Sequence, residues 1–389
     1  MPVRHGPPSA TITGIADTPC GKLPAESCLS LHDRVARACV SDAGIELPQV
    51  DGLLCAYSFT TPHPMLASAV AELLGLRPAY CASLVAGGAT AAMMVQTARA
   101  LVGSDVCEHV LCVTGDNRLT GMPPGGALRT LAGFGHPEHE VPYGITIPAA
   151  YALIASQALH AGRFTLEDLA RIAVQTRAHA NRHPQAHMHG RELSFEEAMQ
   201  ARVISSPLRL FDCALVSDGA AAVLVSRRAT DPARGVAVRG CGQRSTHEHL
   251  VAAPPGLDGF GCGDSARQAF AEAGLEPRQI DVAEIYDSFT ITLAVELESI
   301  GFFPRGGLSE ALQDGALELG GALPCNTHGG LLSYGHSGAA GGMFHVVEAV
   351  RQLRGEAESR QVAGAETAFV HGDGGVLSVH VSLILGAPA

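Results

Sequence analysis

The chain has 389 residues, 47% of them hydrophobic and only 16% charged, so it is globular and long enough for two large domains or a fused duplication. A formal charge of -12 excludes a general nucleic-acid or anionic-membrane surface, and no uninterrupted run of about 18 apolar residues is present to span a bilayer. One lysine, Lys22 in a Gly/Pro-rich stretch, disfavours Schiff-base and pyridoxal-phosphate chemistry, and Cys20-Gly-Lys22-Leu is not a phosphate-binding loop.

After a short irregular lead, Ala10–Ile15 predicts a first strand and Ser30–Val40 a helix. Val50–Tyr57 has the composition of a buried strand, and Met65–Leu74 places apolar residues at helical spacing. Strand Ala79–Val85, small-residue helix Ala89–Val102 and strand His109–Thr114 then follow as a βαβ unit, which implies a parallel sheet covered by helices. The alternation stops between residues 116 and 208, where helices Ile147–Ala161 and Leu166–Asn181 and a His-rich loop predict an insertion over the core. In that loop His179, His183, His187 and His189 have no carboxylate or Cys partner at a metal-ligand spacing, so a solvated or ligand-adjacent loop is expected rather than a metal site.

Strand Ser217–Ser226 closes the first half, and residues 227–235 read as a connection. A second α/β stretch follows: strand Val236–Arg239, helix Gly263–Ala273, strand Val282–Tyr286 and helix Thr290–Ile300. A turn over Gly329–Gly341, helix Met343–Leu353, and strands Thr367–Val370 and Gly375–Leu385 complete the chain. The halves, 1–232 and 233–389, repeat one scheme without visible sequence identity. Eleven cysteines with no C-x-x-C pair fit reduced thiols rather than disulfides or zinc, and no signal-like N-terminal segment is seen, so a cytoplasmic location is expected.

The segment Gly329-Gly-Leu-Leu-Ser-Tyr-Gly-His-Ser-Gly-Ala-Ala-Gly-Gly342 sets an imidazole, His336, and a phenol, Tyr334, on one glycine-rich turn before a helix. Backbone N–H groups at such a helix start can face an oxyanion, which makes Gly335 and Gly338 candidate substrate contacts. Here the chain resembles the thiolase superfamily, and more closely its sterol-carrier-protein-type, thiolase-like branch. Gly335-His336-Ser337-Gly338 is similar to the Gly-His-Pro active-site turn, with Ser for Pro. Arg351–Glu356 and Arg360–Ala365 are also typical of the branch, and the resemblance covers essentially the whole chain.

The resemblance implies a duplicated five-layered αβαβα thiolase fold with parallel-rich sheets and an inserted loop domain. It sets Tyr286-Asp-Ser-Phe289 where thiolases carry Asn-Glu-Ala-Phe and sterol-carrier types often His-Asp-Cys-Phe. It sets His371-Gly-Asp-Gly374-Gly375 where thiolases carry a second catalytic Cys. The nucleophilic Cys is the departure: counting back from Ala100-Leu-Val-Gly103 reaches Ala86, and Cys81 would need a shifted helix start to substitute.

With the nucleophile absent, Tyr286, Tyr334, His336 and His371 are left as the candidate catalytic set, with Gly335, Gly338 and Gly374 lining the thioester site. Cys-less members of the branch are acyl-CoA aldolases that use tyrosines at positions similar to Tyr286 and Tyr334. The resemblance therefore implies retro-aldol cleavage of a β-hydroxyacyl-CoA, with coenzyme A part of the substrate and no further cofactor. An acyltransferase with an unusual nucleophile, or a non-catalytic acyl-CoA-binding subunit, are the alternatives. Arg118, Arg129, Arg182 and Arg244 lie in loops suited to the CoA nucleotide. A homodimer, with helix Ala89–Val102 suited to its interface, and a separate small OB-fold, zinc-ribbon subunit are the expected partners.

Overall fold

A computed structural model describes residues 10–256 and 259–387; the irregular lead expected before Ala10 lies outside them. The first half runs β1 (Thr11–Asp17), α1 (Cys28–Asp42), β2 (Gly52–Cys55), α2 (Leu66–Leu74), β3 (Tyr80–Ser83), α3 (Thr90–Gly103) and β4 (His109–Asn117). An insertion follows, with α4 (Gly126–Ala132), α5 (Ile147–His160), α6 (Leu166–Ala180), α7 (Phe195–Gln200) and the small hairpin β5 (Val203–Ser205) and β6 (Leu208–Arg209). Strand β7 (Asp218–Ser226) then returns to the main sheet.

The second half comprises β8 (Val236–Ser245), α8 (Cys262–Ala273), β9 (Val282–Ile285), α9 (Thr290–Ile300), α10 (Leu308–Gln313), α11 (Ala340–Arg354), β10 (Thr367–Gly374) and β11 (Val379–Gly386). The strand order of the first half is β3-β2-β4-β7-β1; that of the second is β8-β11-β10-β9, with Cys325 bridged in parallel to Ala283 at the far edge. Read outward from β1 and from β8, the two sequences of strands match, and that is the signature of a duplication. Strand β2 runs parallel to β3 and β4, and β9 parallel to β10, while antiparallel pairs join the remainder.

Alternation along the strands builds the layers. In β7, Ala221, Val223 and Val225 pack with α3 and α11, while Ala220, Ala222 and Leu224 pack with α1 and α2. In β10, Ala368 and Val370 face the same α3/α11 layer, and Phe369 faces α8 and α9. Helices α3 and α11 are thus sandwiched between the two half-sheets, with α1 and α2 outside one and α8 and α9 outside the other. The small residues Ala91, Ala92 and Ala98 of α3 serve close packing within the subunit, while Met93, Gln96 and Thr97 are half-buried and Ala100 is exposed.

Candidate active site

The His336 turn is built as one tight π-helical coil over Gly330–Tyr334. The Asp287 carboxylate lies so close beneath Gly330 that a Cβ there would collide with it, and it accepts the Leu331 N–H at 2.7 Å. The outer side of the coil is held by the insertion: His187 N–H donates to Tyr334 O at 2.9 Å and Arg177 Nε to Ser333 Oγ at 2.9 Å. His336 itself is clamped through its backbone, donating to Leu215 O at 2.8 Å and accepting from Ser217 N–H at 3.1 Å.

So fixed, the imidazole turns its Nε2 to within 3.4 Å of the Tyr286 hydroxyl, with the two rings nearly perpendicular. Burial, reinforced by the Arg118 guanidinium, pushes His336 down to about 3, so the ring is neutral at pH 7. Tyr286 follows β9, donates its N–H to His371 O at 3.0 Å, and lays its phenol across the start of α3. The approach is so close that a Cβ on Gly88 would overlap the ring and the hydroxyl. Burial drives the phenol well above its ordinary pKa; Tyr57 and Asp373 add to this and Arg118 opposes it.

Arg118 directly follows β4 and is buried, with its guanidinium 4.9 Å over the Phe59 ring and its side chain against Gly338. Its Nε has no hydrogen-bond partner, and among the described residues it makes no ion pair within 4.0 Å. Beneath the pair, buried His345 of α11 sets Nδ1 3.3 Å from Glu284, and His328 sets Nδ1 2.9 Å from the same carboxylate. Burial raises Glu284, yet these two rings outweigh it and hold the carboxyl at about 2. Asp287 is pushed up to about 7 by burial, against the pull of His345 and the backbone N–H groups of the turn.

The remaining expected residues separate. Tyr334 is fully buried, and its hydroxyl donates to Asp17 at 3.0 Å and to Thr18 O at 3.3 Å, with Asp17 also paired to Arg351. It is bonded to neither Tyr286 nor His336, so the shared turn does not bring the two hydroxyls together on one imidazole. His371 departs further from expectation: its ring stacks on Phe369 and bonds Ser382 and His380, on the face of β10 turned to α8 and α9. Strand alternation carries the reason, since residues 369 and 371 share one face and 368, 370 and 372 the other.

Gly335 and Gly338 pack against Cys20 and Arg118, and Gly374 lies against the carbonyl of Ala86. Ala86 begins the turn into α3, two residues before Gly88. Cys81 lies on edge strand β3, exposed, its thiol pushed up by burial of its surroundings rather than activated. Arg129, Arg182 and Arg244 are exposed, and Arg244 pairs with Asp264. The His-rich loop is more buried than expected; His179 and His183 are buried, and His187 bonds Ser217 at 2.9 Å. His345 and Gly88 were not signalled by any motif, while Arg118 was noticed only as a candidate for the nucleotide.

Residues 242–387 match the family described as thiolase C-terminal domain-like. The 17-hydroxy-3-oxo-4-pregnene-20-carboxyl-CoA lyase of Mycobacterium tuberculosis is 33% identical over 395 residues, covering 97% of this chain and 99% of that protein. The steroid side-chain-cleaving aldolase of Thermomonospora curvata is 33% identical over 366 residues, 90% and 91% of the two chains. Among solved structures, the Ltp2-ChsH2(DUF35) aldolase superposes with a TM-score of 0.84 at 32% identity, over 98% of each chain. The layered duplication is that of an α/β enzyme fold, and the His336 turn packs against the start of α3 within it. The chain belongs to the thiolase superfamily, in its sterol-carrier-protein-type, thiolase-like branch.

Proposed function

We propose that this chain cleaves the Cα–Cβ bond of β-hydroxyacyl-CoA thioesters by a retro-aldol route. The observation that carries the reading is the Tyr286 hydroxyl and His336 Nε2, 3.4 Å apart at the start of α3, with Ala86 offering only a methyl group where covalent acyl transfer would need a nucleophile. Tyr286 takes the β-hydroxyl proton, a charge state that Arg118 favours and burial opposes. The Cα–Cβ electron pair moves into the thioester, the β-carbon leaves as a carbonyl, and the enolate oxygen receives the N–H of neutral His336. The proton held by Tyr286 then passes to Cα, which releases the shortened acyl-CoA and restores the deprotonated phenol. The electron pair never leaves the substrate, so the reaction balances with coenzyme A as its only carrier group.

Tyr334 acts one step back, fixing the turn through Asp17, and Gly335, Gly338 and Gly374 let backbone approach the thioester. A small OB-fold, zinc-ribbon subunit is the proposed partner. The related aldolase structure is named for an Ltp2-ChsH2(DUF35) pair, and Phe134, Tyr143, Leu153, Val203 and Ile204 leave apolar surface exposed on the insertion. A homodimer is proposed through the open edge of β3. No helix among the described residues is long and apolar enough to cross a membrane, and we propose a cytoplasmic location.

The test is turnover of the purified chain, with and without a candidate partner, on β-hydroxyacyl-CoA and β-ketoacyl-CoA. Cleavage of the hydroxy substrate alone, with the carbonyl fragment and the shortened acyl-CoA in equal amounts, is expected. Acetyl transfer to free CoA that disappears in Cys81→Ala would overturn the reading in favour of a transferase. CoA binding without turnover of either substrate would leave only a binding role.

A further inference from the structure

Four buried side chains with no part in the chemistry above converge between α8, α9, β10 and β11: Cys262, Glu296, His371 and His380. Their ligand atoms all lie within 4.8 Å of one another. Counting protons around them leaves a deficit. The Ser265 hydroxyl, 2.8 Å from the Cys262 carbonyl, must donate there. Ser382, 3.0 Å from Ser265, therefore donates to Ser265 and has no proton left. His371 Nδ1, 2.9 Å from Ser382 Oγ, must then carry the hydrogen of that contact. On the other ring His380 Nε2 lies 3.0 Å from the Leu377 carbonyl and must donate as well.

In the neutral rings both inward nitrogens, His371 Nε2 and His380 Nδ1, are consequently bare lone pairs, and they face each other at 3.1 Å. Glu296 Oε1 stands 3.5 Å from the first and 4.0 Å from the second, and neither oxygen of this fully buried carboxylate accepts a hydrogen bond. Two lone pairs and an orphaned carboxylate pointed at one spot repel unless a proton or a metal cation sits among them. Tetrahedral zinc, with metal–nitrogen bonds of about 2.0 Å and a metal–sulfur bond of about 2.3 Å, needs ligand atoms roughly 3.3–3.6 Å apart. The two imidazoles and Glu296 stand 3.1, 3.5 and 4.0 Å apart and Cys262 lies within 4.8 Å of them, so small side-chain shifts close the set on a metal.

We propose that Cys262, Glu296, His371 and His380 form a buried structural zinc site. One thiolate and one carboxylate neutralise the dication, and two imidazoles with oriented outer N–H groups complete a borderline-soft donor set that suits zinc over magnesium or calcium. The ligands come from four separate elements, so no sequence spacing announces them. The site ties β10 and β11 to both covering helices. His371 lies two residues before Asp373, whose carbonyl abuts Gly88 at the start of α3, so the metal also steadies the wall behind Tyr286.

The experiment is metal analysis of the untagged full-length chain, grown with added zinc and purified by gel filtration without chelator. About one zinc per chain is expected, falling several-fold in Cys262→Ser and in His380→Ala. Should either variant fail to fold, cobalt exchanged into the wild-type chain keeps the proposal testable: tetrahedral visible bands and a thiolate-to-cobalt charge-transfer band are expected. A folded, cooperatively melting wild-type chain that holds no zinc and takes none up overturns the proposal, and a proton shared by the histidine pair is then the cation. Zinc content unchanged in both variants overturns it too, because the metal then sits elsewhere. Neither result bears on the retro-aldol reading.

Discussion

Tyr286 and Tyr334 are chemically alike and physically opposite. The Tyr286 hydroxyl has one long contact, to His336, so its removal costs the fold little and the reaction a proton acceptor. Tyr286→Phe is expected to lower kcat about 10²–10⁴-fold with a nearly unchanged Tm. The Tyr334 hydroxyl instead donates to the buried Asp17 carboxylate, a bond to a charged group worth about 1.5–3 kcal/mol. Tyr334→Phe is expected to lower Tm and kcat together, measured by thermal melts beside steady-state rates; a rate loss with no change in Tm would instead put Tyr334 among the reacting groups. Arg118 governs the charge of the pair. Its guanidinium lowers both His336 and Tyr286, so Arg118→Gln should raise both. For His336 the sign follows from linkage. The folded ring, at about 3, refuses a proton that the unfolded chain takes near 6.5, so the stability it gives is present above 6.5 and lost as pH falls towards 3. In Arg118→Gln that loss ends at a higher pH, and an imidazole NMR titration should find the His336 midpoint moved up from about 3.

At the scale of elements, the site depends on how closely backbone can approach side chain. A Cβ on Gly88 would overlap the Tyr286 phenol and the Asp373 carbonyl, so Gly88→Ala must push the ring away from His336. An ångström of misplacement at a reacting group is worth about 10²-fold in rate. A loss of that size in kcat, with circular dichroism unchanged, is the expected outcome; wild-type activity in the variant would mean that the phenol is not held there during turnover. Such contacts also decide what could be read from sequence. Periodicity located most of the helices and strands, because turns rich in Gly, Pro and Asp separate them. Strand β8 was expected to end at Arg239, yet it runs to Ser245: Gly240 and Gly242 make room for backbone carbonyls of α8. The final strand was expected from Gly375, but residues 375–378 form the turn between β10 and β11. His371 was assigned to the site by motif position alone, whereas counting alternation from Ala368 would have turned it outward. His345 and Glu284 left no trace, since a helix and a strand distant in sequence supply them.

Across the whole molecule the halves are not independent units. The central core draws Ile12, Val110 and Val223 from one and Val238, Val370 and Leu383 from the other, around α3 and α11. Arg354, at the end of α11, fastens the same seam. Its side chain is 1% exposed; Nη1 donates to Asp42 on α1 at 2.9 Å, Nη2 to Thr13 O on β1 at 3.0 Å, and Nε to Arg234 O at 2.8 Å. Arg354→Met would strand two backbone carbonyls and take from Asp42 one of its two cationic partners, leaving Arg234. Breaking a buried pair costs about 3–5 kcal/mol, and partial exposure of Asp42 puts this change near the lower end. Because the shared core must open when either half does, the loss is expected as a shift of one cooperative transition. The chain has no Trp, so urea unfolding would be followed by tyrosine fluorescence and far-ultraviolet dichroism, whose curves should coincide in wild type and variant. Two separated transitions in the wild type would show instead that each half-sheet holds its own stability, and that α3 and α11 transmit little between them.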